Sequence, residues 1–375
     1  MGENEFGESN GTPPRIEKLF NIMARKKASD LHLKQDQPPL LRIGGTVLPL
    51  KSEPLTDRQI KQLAYELFTP RMQDIFEREG SIDFATEFGD GYRTRINVFR
   101  QRGHISIACR LVTSKIPSMA DLHLPETLKK IAEFPQGLVL LVGPTGTGKS
   151  TTLATMIQHI NLNRRCHILT IEDPIEYSYK DDKAIINQRE IGIDVSDWLA
   201  ALKYAMREDP DVILVGEMRD PDTFFAGMTA AETGHLVFGT LHASNVVQTF
   251  SRILELFPAD REAGLRQGLA GNLRAIIAQM LFPSCLEGVN VVPALEIMIC
   301  NSVITNLITK GEESKINHLI NSGESEGMQS MTQAIAKLVQ ADMVLRRDAL
   351  EKAPNKERLE MALRGINVDM GKIIG

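Results

Sequence analysis

The chain has 375 residues, enough for two or three domains, and its 42% hydrophobic and 24% charged content is typical of an ordinary soluble globular protein. The net charge of −5 disfavours a surface built for nucleic acid, and no segment approaches the roughly eighteen consecutive apolar residues that a membrane span needs. The four cysteines, Cys109, Cys166, Cys285 and Cys300, stand far apart without a C-x-x-C pair, which disfavours a zinc or redox site.

The N-terminal part of the sequence predicts a tail followed by a small α+β domain. Residues 1–14 are acidic and lack the apolar core of a signal peptide, so we expect a disordered tail and a cytoplasmic protein. From residue 15 to residue 113, stretches with helical spacing of apolar residues are interspersed with stretches of strand spacing. The elements predicted here are a helix over 15–26, a strand from 29 to 33, a hairpin around Gly44 and Gly45, a helix over 57–68, and a second hairpin of strands 92–100 and 104–112.

The remainder of the sequence predicts an α/β domain. Residues 114–125 hold prolines among mixed polar residues and are predicted to be an interdomain linker. Between residues 126 and 345, short apolar runs alternate with helical patterns, which indicates a largely parallel sheet with crossover helices. Residues 346–375 are charged and predict a loosely held helical tail. The strand-like runs are 138–142, 168–171, 212–215 and 236–239, and helical periodicity is also predicted over 265–280 and 331–345.

One segment of the α/β domain matches a phosphate-binding pattern at every fixed position. The run GPTGTGKS, residues 143–150, fits G-x-x-x-x-G-K-[ST] and lies between an apolar strand over 137–142 and a helical pattern over 151–160. A glycine-rich turn that binds nothing is the alternative, but the flanking strand and helix are the context that the pattern requires. The predicted nucleotide-binding residues are Gly143, Pro144, Thr145, Gly146, Thr147, Gly148, Lys149, Ser150 and Thr151.

Each residue type in this loop has a physical role toward a polyphosphate. Glycines let consecutive backbone N–H groups turn inward, and the following helix N-terminus adds roughly half a positive charge. We expect Lys149 to reach the outer phosphates and the Ser150 hydroxyl to bind Mg²⁺. The sequence therefore predicts a nucleoside triphosphate site, with ATP and Mg²⁺ as the cofactors.

Carboxylates follow the predicted core strand over 168–171. Glu172, Asp173 and Glu176 lie just past its C-terminal end, at the edge where open α/β sheets bind ligands. Acids at this edge can hold Mg²⁺ or take a proton from an attacking water molecule, and the alternative is a solvated acidic turn. The phosphate-binding loop makes an acid near this edge useful, which favours the functional interpretation.

A second predicted strand, 211–215, resembles a Walker B element with a departure at its end. The usual terminal Asp is replaced by Gly216, so Glu217 is the first acid and the candidate magnesium contact. Arg219 follows, and two interpretations of it stay open. It can pair structurally with Asp220 or Asp222, or it can act at the site.

Two histidines bracket the apolar strand over 236–239. His235 precedes the strand and His242 follows it. A lone histidine is more often a hydrogen-bonded core residue than a catalytic one, yet an imidazole placed here can sense a γ-phosphate by hydrogen bonding. Both histidines are therefore candidate catalytic residues, and hydrolysis sensed by them can be transmitted to neighbouring elements.

Three arginines on the second predicted hairpin are candidates for neutralising phosphate charge. Arg93 and Arg95 share one face of a strand, and Arg110 lies on the paired strand. A basic surface stripe is the ordinary alternative for such residues. No obvious arginine stands close to the phosphate-binding loop in the sequence, however, and one arginine accelerates phosphoryl transfer by roughly 10³ to 10⁵. We therefore expect a neighbouring subunit to supply it.

Four motifs occur in a fixed order along the chain: GPTGTGKST, TIEDPIEY, DVILVGEMRD and TGHLVFGTLHA. In this order and at these spacings, the chain resembles the secretion ATPase superfamily, and in particular the type IV pilus retraction ATPases of twitching motility. The resemblance covers roughly residues 16–345 and includes the segment YRTRINVFRQ. It implies a PAS-like α+β domain over 15–113, a RecA-like P-loop ATPase domain over 126–345, and a homo-hexameric ring with ATP at domain and subunit junctions.

The resemblance also implies site residues, partners and a place in the cell. The residues concerned are Lys149 and Ser150 for phosphate and Mg²⁺, Glu176 for activating water, Glu217 for supporting magnesium, His235 and His242 as the histidine pair, and Arg93, Arg95 and Arg110 as the arginines of the nucleotide pocket. The implied function is an ATP-hydrolysing motor that retracts type IV pili. Such a motor would bind a pilus inner-membrane platform protein at the cytoplasmic face of the membrane, with a paralogous retraction ATPase as a further candidate partner. Neither nucleic acid nor insertion into the membrane is expected.

Two features refine the subtype. The long N-terminal region and the tetracysteine zinc site usual in extension-type pilus ATPases are not expected here, which favours retraction. The retraction family's AIRNLIRE motif aligns with VITNLITK, residues 303–310, in which Thr305 and Thr309 replace both arginines. Two alternatives stay open, namely an accessory subunit that depends on a paralogous motor, and a RecA-like DNA translocase, which the net charge disfavours.

Overall fold

Residues 15–89, 92–112 and 115–366 are described here by a computed structural model of the chain. The predicted tail 1–14 and residues 367–375 of the predicted C-terminal tail lie outside the described residues. The chain divides into two compact units. The first runs up to Lys115 and includes residues 176–178, and the second holds residues 116–175 and the chain from Tyr179 onward.

The first unit is built on an antiparallel sheet. Its elements are α1 (Ile16–Arg25), β1 (Asp30–Leu33), β2 (Leu40–Ile43), β3 (Thr46–Pro49), α2 (Asp57–Leu67), α3 (Pro70–Glu79), β4 (Ser81–Phe88), β5 (Tyr92–Gln101) and β6 (His104–Val112). In the described residues the strands form a six-stranded sheet in the order β3-β2-β1-β6-β5-β4, and its neighbouring strands pair antiparallel. The predicted α+β organisation is confirmed, including the helix near residue 16 and the hairpin at Gly44 and Gly45.

Helix α3 and strand β4 were not predicted from the sequence. The helix begins at Pro70, where the Thr69 hydroxyl accepts a hydrogen bond from the Met72 N–H, and it ends at Gly80 with φ 73°. These are ordinary start and stop signals, because a missing N–H at the first helical position costs nothing and glycine adopts a left-handed conformation freely. The apolar face of α3 is narrow, with Phe76 as its buried residue, and this explains why periodicity did not reveal it.

The second unit is an α/β unit. Its elements are α4 (Thr127–Ala132), β7 (Gly137–Val142), α5 (Lys149–Asn163), β8 (His167–Glu172), β9 (Ile185–Glu190), α6 (Trp198–Ala205), β10 (Val212–Val215), α7 (Pro221–Glu232), β11 (Leu236–Leu241), α8 (Val246–Leu254), α9 (Glu262–Asn272), β12 (Leu273–Pro283), β13 (Val291–Ile299), α10 (Ser302–Lys310), α11 (Ile316–Ser322), α12 (Met331–Gln340), α13 (Arg346–Lys352) and α14 (Lys356–Leu363). No helix among these described residues has the length and apolarity that crossing a membrane requires.

The sheet of the second unit places the phosphate-binding loop at its centre. The described strands follow the order β13-β12-β7-β11-β10-β8-β9, and among them β12 and β13 pair antiparallel while the other pairs are parallel. The carboxyl ends of β7, β11, β10 and β8 therefore lie at one edge of the sheet. Open α/β sheets bind ligands at this edge, next to the strand where the chain connections diverge, so the predicted parallel α/β fold is confirmed in the form that a nucleotide site needs.

The helix predicted over 265–280 is wrong in its second half. Helix α9 ends at Asn272, and strand β12 begins at Leu273, parallel to β7. Residues 273–279 are buried on both faces of the sheet apart from a half-buried Arg274, and a continuous apolar run of this kind cannot be separated from a buried helix by periodicity. The β-branched pair Ile276 and Ile277 is the local feature that favours a strand.

The C-terminal segment contains two helices where a loosely held helical tail is predicted. Helices α13 and α14 follow α12, and Ala349 and Leu359 on them are fully buried. They pack into one apolar cluster with Phe282 of β12 and Val292 of β13. This part of the chain therefore belongs to the packed second unit as far as the structure describes it.

A buried carboxylate on β13 connects the sheet to the first residue of α8. Glu296 is 6% exposed, and its Oε2 atom accepts a hydrogen bond from the Val246 N–H at 2.8 Å. Burial raises the pKa of Glu296, and the hydrogen bond from Val246 opposes this rise only in part. The start of α8 is therefore fixed by a group whose ionised form is destabilised by its surroundings.

Replacing Glu296 with glutamine is expected to raise the free energy of unfolding at neutral pH, because the amide oxygen still accepts from Val246 without a buried charge. The folded-state pKa lies above the ordinary 4.5, so stability from the protonated carboxyl is complete below that pH and is lost as the pH rises through the folded-state pKa. The difference in unfolding free energy between E296Q and the wild type should therefore grow with pH and then level off. Urea unfolding followed by the fluorescence of Trp198, the sequence's sole tryptophan, measures it.

The control for this experiment is E351Q, which makes the same replacement at an exposed position of α13 and should change the unfolding free energy by less than about 0.5 kcal/mol. The leucine variant E296L removes the acceptor and leaves the Val246 N–H unpaired, at a cost of about 1–3 kcal/mol. A difference between E296Q and the wild type that stays constant from about pH 4 to pH 8 would contradict the raised pKa.

Candidate nucleotide-binding site

The phosphate-binding loop leaves the end of β7 and enters α5 directly. Gly143, Gly146 and Gly148 have φ values of 154°, 80° and 81°, a region of backbone conformation that favours glycine. Gly148 is the N-cap of α5, so the first turn of a fifteen-residue helix opens onto the loop. The N–H groups of this turn have no partner within the helix and, with the helix dipole, attract an anion.

Lys149 is the first residue of α5, and its side chain turns back over the loop. Its Nζ atom donates hydrogen bonds to the carbonyl oxygens of Gly143 at 2.7 Å and Pro144 at 3.0 Å. The Thr147 hydroxyl donates to the same Pro144 carbonyl at 2.9 Å. The predicted loop residues are therefore brought together, with the ammonium group held beside the loop backbone.

Strand β12 packs against the phosphate-binding loop through Gln279, a contact that the sequence did not predict. A Cβ atom on Gly143 would lie 2.7 Å from the backbone carbonyl oxygen of Gln279. A Cβ atom on Gly148 would lie 3.1 Å from the side-chain Nε2 atom of Gln279. Close packing against backbone therefore requires glycine at position 143 in addition to its conformation, and Gly148 is packed tightly against the Gln279 side chain. Gln279 itself is 2% exposed and bonds the loop through its side chain.

A carboxylate that contacts an arginine and a histidine follows β10. The Glu217 Oε1 atom lies 3.0 Å from His242 Nε2, and its Oε2 atom accepts a hydrogen bond from Arg219 at 2.6 Å. Burial raises the pKa of Glu217, but Arg219 and His242 outweigh burial and hold the pKa below its ordinary value. The Glu217 side chain is 17% exposed and ionised. The structure thus brings together two of the predicted site residues, Glu217 and His242.

The partner of Arg219 corrects one of the two interpretations made from the sequence. Arg219 bonds Glu217, whereas Asp220 accepts from the N–H and the hydroxyl of Thr223 and so caps α7. The structural pairing expected with Asp220 or Asp222 is replaced by a pairing with the candidate site residue. Arg219 is also 67% exposed, so its guanidinium has one face open to solvent or ligand.

Close packing explains why Gly216 occupies the position where a Walker B element usually has an aspartate. A Cβ atom on Gly216 would lie 3.2 Å from the carbonyl oxygen of Ile171 and 3.2 Å from the ring of Trp198, closer than most real contacts. The Thr240 hydroxyl also donates to the Gly216 carbonyl at 2.5 Å. The strand end is thus held tightly on both sides, and the acid that follows is Glu217.

Met218, next to Glu217, is fully buried against two glycines. A Cβ atom on Gly227 of α7, or on Gly239 of β11, would lie 2.6 Å from the Met218 Cε atom. The Met218 N–H donates to the Thr240 carbonyl at 3.0 Å. The segment that carries Glu217 is therefore fixed to both α7 and β11.

The acids after β8 differ in their surroundings. Glu172 accepts hydrogen bonds from the Thr170 hydroxyl at 2.7 Å and from Gln188 at 3.1 Å, so this carboxylate is used within the sheet. The side chain of Glu176 is exposed. The preceding residue, Ile175, is buried, and its N–H donates to Glu190 at 3.3 Å. Residues 176–178 group with the first unit, and the role of Glu176 in activating water stays a prediction.

The two histidines lie at opposite ends of β11. His242 follows Leu241, which is paired with Val142 just before the phosphate-binding loop, whereas His235 precedes Leu236, which is paired with Gly137 at the start of β7. The six residues of β11 correspond to a separation of about 20 Å. His235 hydrogen-bonds the Ala230 carbonyl at 2.9 Å through Nδ1. The structure brings His242 to the edge that carries the loop and leaves His235 at the other edge.

The candidate arginines lie on β5 and β6 of the first unit, as predicted. Arg95 and Arg110 are cross-strand partners, and Arg93 is paired with Val112. The Arg110 Nε atom donates to Asp30 Oδ1 at 2.9 Å. Burial raises the pKa of Asp30, but the hydrogen bonds from Ser29 and Arg110 outweigh burial and hold the pKa below its ordinary value. Arg110 therefore has a structural partner in its own unit, and the contribution of the three arginines to a phosphate site stays a prediction.

The donor set suits a hard divalent cation. Ser150, the second residue of α5, presents an exposed side chain beside the loop, and Glu217 supplies a carboxylate at the same edge of the sheet. Mg²⁺ prefers oxygen ligands and is commonly held by one or two protein oxygens together with substrate phosphates. The residues present therefore fit the predicted magnesium ion.

The fold and the loop define the class of protein. A parallel sheet with a G-x-x-x-x-G-K-[ST] loop between β7 and α5, together with a smaller antiparallel α+β unit, is a RecA-like P-loop ATPase fold. The family model for type II/IV secretion system proteins matches residues 11–364, so the chain belongs to this family.

Individual relatives agree with that membership. The chain is 40% identical over 338 residues to the type IV pilus retraction ATPase PilT of Pseudomonas aeruginosa, covering 90% of this chain and 98% of that protein. It is 36% identical over 349 residues to the type IV pilus ATPase PilU of the same organism, covering 93% and 91%. A crystal structure of the pilus retraction motor PilT with bound ADP matches with a TM-score of 0.85 at 40% identity, covering 92% of this chain and 99% of that one. The family predicted from the four motifs is confirmed.

Proposed function

We propose that this chain is an ATP-hydrolysing motor that works as a homo-hexamer and drives the retraction of type IV pili in twitching motility. The observation that carries the proposal is the phosphate-binding loop with Lys149 folded over it, in a chain 40% identical over 90% of its length to a pilus retraction ATPase. Its place is the cytoplasmic face of the inner membrane, where it binds a pilus platform protein.

The loop residues bind the triphosphate. Backbone N–H groups between Gly143 and Thr151 face the phosphate oxygens, and the first turn of α5 adds its partial positive charge. Lys149 exchanges its bonds to the loop carbonyls for bonds to the outer phosphates. The chain thus places its positive charge where negative charge is concentrated in the substrate.

The acids act on the other side of the phosphates. When bound, Mg²⁺ would supply positive charge against the negative charge that develops during phosphoryl transfer. Ser150 and Glu217 would hold it, and His242 orients the Glu217 carboxylate through the bond of 3.0 Å. Glu176 takes the proton of the attacking water. Arginines of a neighbouring chain, drawn from Arg93, Arg95 and Arg110, neutralise the remaining charge.

An accessory role is the second candidate, and the observation that favours it lies on α10. Thr305 and Thr309 stand on this helix where the retraction family has arginines, and the Thr309 hydroxyl donates to the Thr305 carbonyl at 3.0 Å. These hydroxyls carry no charge to offer a partner. A chain without that charge fits a subunit that works beside a paralogous motor.

The oligomer and its shared site are tested together in solution. We expect the wild type to show the mass of a hexamer with a non-hydrolysable ATP analogue, and K149A and R95A each to lose ATPase activity. Mixing K149A with R95A should restore partial activity, because some interfaces then join an intact loop to an intact arginine. A strict monomer with and without the analogue, or a mixture as inactive as its components, contradicts the proposal.

The two candidate functions and the DNA alternative separate in three further measurements. Steady-state ATP hydrolysis by the purified chain alone supports an autonomous enzyme, and its absence favours the accessory subunit. Expression in a cell that lacks its retraction ATPase should restore twitching if the chain works alone. Stimulation of hydrolysis by DNA, with the steep salt dependence of phosphate contacts, would instead favour a translocase.

A further inference from the structure

Gln279 joins the phosphate-binding loop to the following helix through both ends of its amide. Its Nε2 atom donates to the Thr147 carbonyl at 2.6 Å, and its Oε1 atom accepts from the Thr152 hydroxyl at 2.8 Å. Gln279 is separated from these residues by 132 and 127 positions in the sequence and is 2% exposed. A buried amide with both of its functions paired fixes the groups that it contacts.

The sheet register places Gln279 at this point. Ala278 of β12 is the partner of Val142, the last residue of β7, so Gln279 stands one position beyond, beside Gly143. Its carbonyl oxygen lies 2.7 Å from where a Cβ atom of Gly143 would stand. Backbone and side chain of one residue therefore both contact the loop.

The bond to Thr147 determines which way the next N–H points. The Thr147 carbonyl and the Gly148 N–H belong to one planar trans peptide, in which the two groups point in opposite directions. Because Gln279 holds the carbonyl on the β12 side, the Gly148 N–H faces away from β12 and into the loop. Gly148 is free to adopt this orientation because its φ is 81° and it has no side chain to strike Gln279.

We propose that Gln279 is a positioning residue of the nucleotide site, whose amide orients the Thr147–Gly148 peptide so that the Gly148 N–H donates to the phosphates. This inference rests on the proposed function, because it takes the loop to bind a nucleotide. The Thr152 bond serves a different purpose. It joins the Oε1 end of the amide to α5 and makes no contact with the Thr147–Gly148 peptide, which is bonded by the Nε2 end.

The test compares variants that cut the two bonds separately. Q279M has a similar volume and loses both bonds, and T152V removes the hydroxyl but leaves the bond to Thr147. Loss of one bond to the phosphates should weaken nucleotide binding about tenfold in Q279M, with little change in T152V. The affinities are measured with a fluorescent ADP analogue and with ATP in competition, both with Mg²⁺ present.

A purely structural role for Gln279 gives a different result. In that case Q279M and T152V both lower the unfolding temperature, and both keep the wild-type affinity. The inference is overturned if Q279M binds ADP as tightly as the wild type, or if T152V loses as much affinity as Q279M. In steady state, the positioning role predicts that KM rises more than kcat falls, because ATP and ADP share the contact.

A second variant keeps the test decisive if Q279M does not fold. Q279E retains the acceptor for Thr152 but cannot donate to the Thr147 carbonyl, so its affinity should fall at least as far as that expected of Q279M. Wild-type affinity in Q279E would also overturn the inference. If the wild type itself binds neither ADP nor ATP, the proposed function fails first, and this outcome is distinct from equal binding by the wild type and its variants.

Discussion

Replacing Lys149 with alanine is expected to abolish ATP hydrolysis. Lys149 is the first residue of α5, and its ammonium group lies 2.7 Å and 3.0 Å from the carbonyl oxygens of Gly143 and Pro144. Its side chain carries the positive charge among residues 143–150. Removal of a preorganised electrostatic contact of this kind lowers kcat by at least about 10²-fold. The measurement is steady-state release of phosphate by purified protein at saturating ATP and Mg²⁺.

The matched control is K356A, which removes an exposed lysine from the first position of α14, far along the chain from the loop. It should hydrolyse ATP at the wild-type rate. Both variants should keep the wild-type Trp198 fluorescence, which confirms that the second unit is folded. If folded K149A hydrolysed ATP normally, the assignment of the nucleotide site to this loop would be wrong.

Replacing Glu176 with glutamine is expected to stop hydrolysis while leaving nucleotide binding intact. Glutamine has the shape of glutamate but cannot accept the proton of the attacking water, so kcat should fall by about 10² to 10⁴ with little change in ADP affinity. The exposed side chain of Glu176 makes a loss of folding stability an inadequate explanation for such a fall. Pre-steady-state and steady-state assays at saturating ATP measure it.

Comparison with E217Q separates the general base from the magnesium contact. The amide at position 217 can still bond His242 and Arg219, but it is a weaker ligand for Mg²⁺. We expect E217Q to raise the Mg²⁺ concentration needed for half-maximal activity and E176Q to leave it unchanged. A variant E176Q with wild-type kcat, or one with activity restored by excess Mg²⁺, would show that another group activates the water.

The sequence predicts those parts of the molecule whose signals are local. The loop from Gly143 to Ser150 is contiguous, and its flanking strand and helix each have their own pattern, so the P-loop unit is confirmed where it was expected. The hairpin at Gly44 and Gly45 is another case, because two adjacent glycines with positive φ define a tight turn without reference to the rest of the chain.

Strand β12 shows why other parts escape prediction. Its run from Leu273 is apolar on both faces because both faces of the sheet are buried, Ile276 in one apolar cluster and Ile277 in another. This leaves no alternation to distinguish the strand from a helix. The error has a functional consequence, since Gln279 lies on this strand. A glutamine assigned to a helix more than a hundred positions from the loop gives no reason to suspect a contact with Thr147.

The charged residues near β10 were predicted in kind and not in pairing. Glu217 and His242 were both candidates, but their distance of 3.0 Å depends on the parallel register of β10 and β11. The length of β11 separates His235 from the loop edge. Spacing along the sequence gives the length of one strand but not the register between two strands, so it could not show that Glu217 and His242 are paired.

Met218 packs between Gly227 of α7 and Gly239 of β11, so the position of the neighbouring Glu217 depends on both elements. The methionine side chain fills the space left by Gly227 and Gly239, so the backbone beside the carboxylate cannot shift without displacing the helix or the strand. Any change in the position of the acid would therefore have to be accommodated where Met218 packs against α7 and β11.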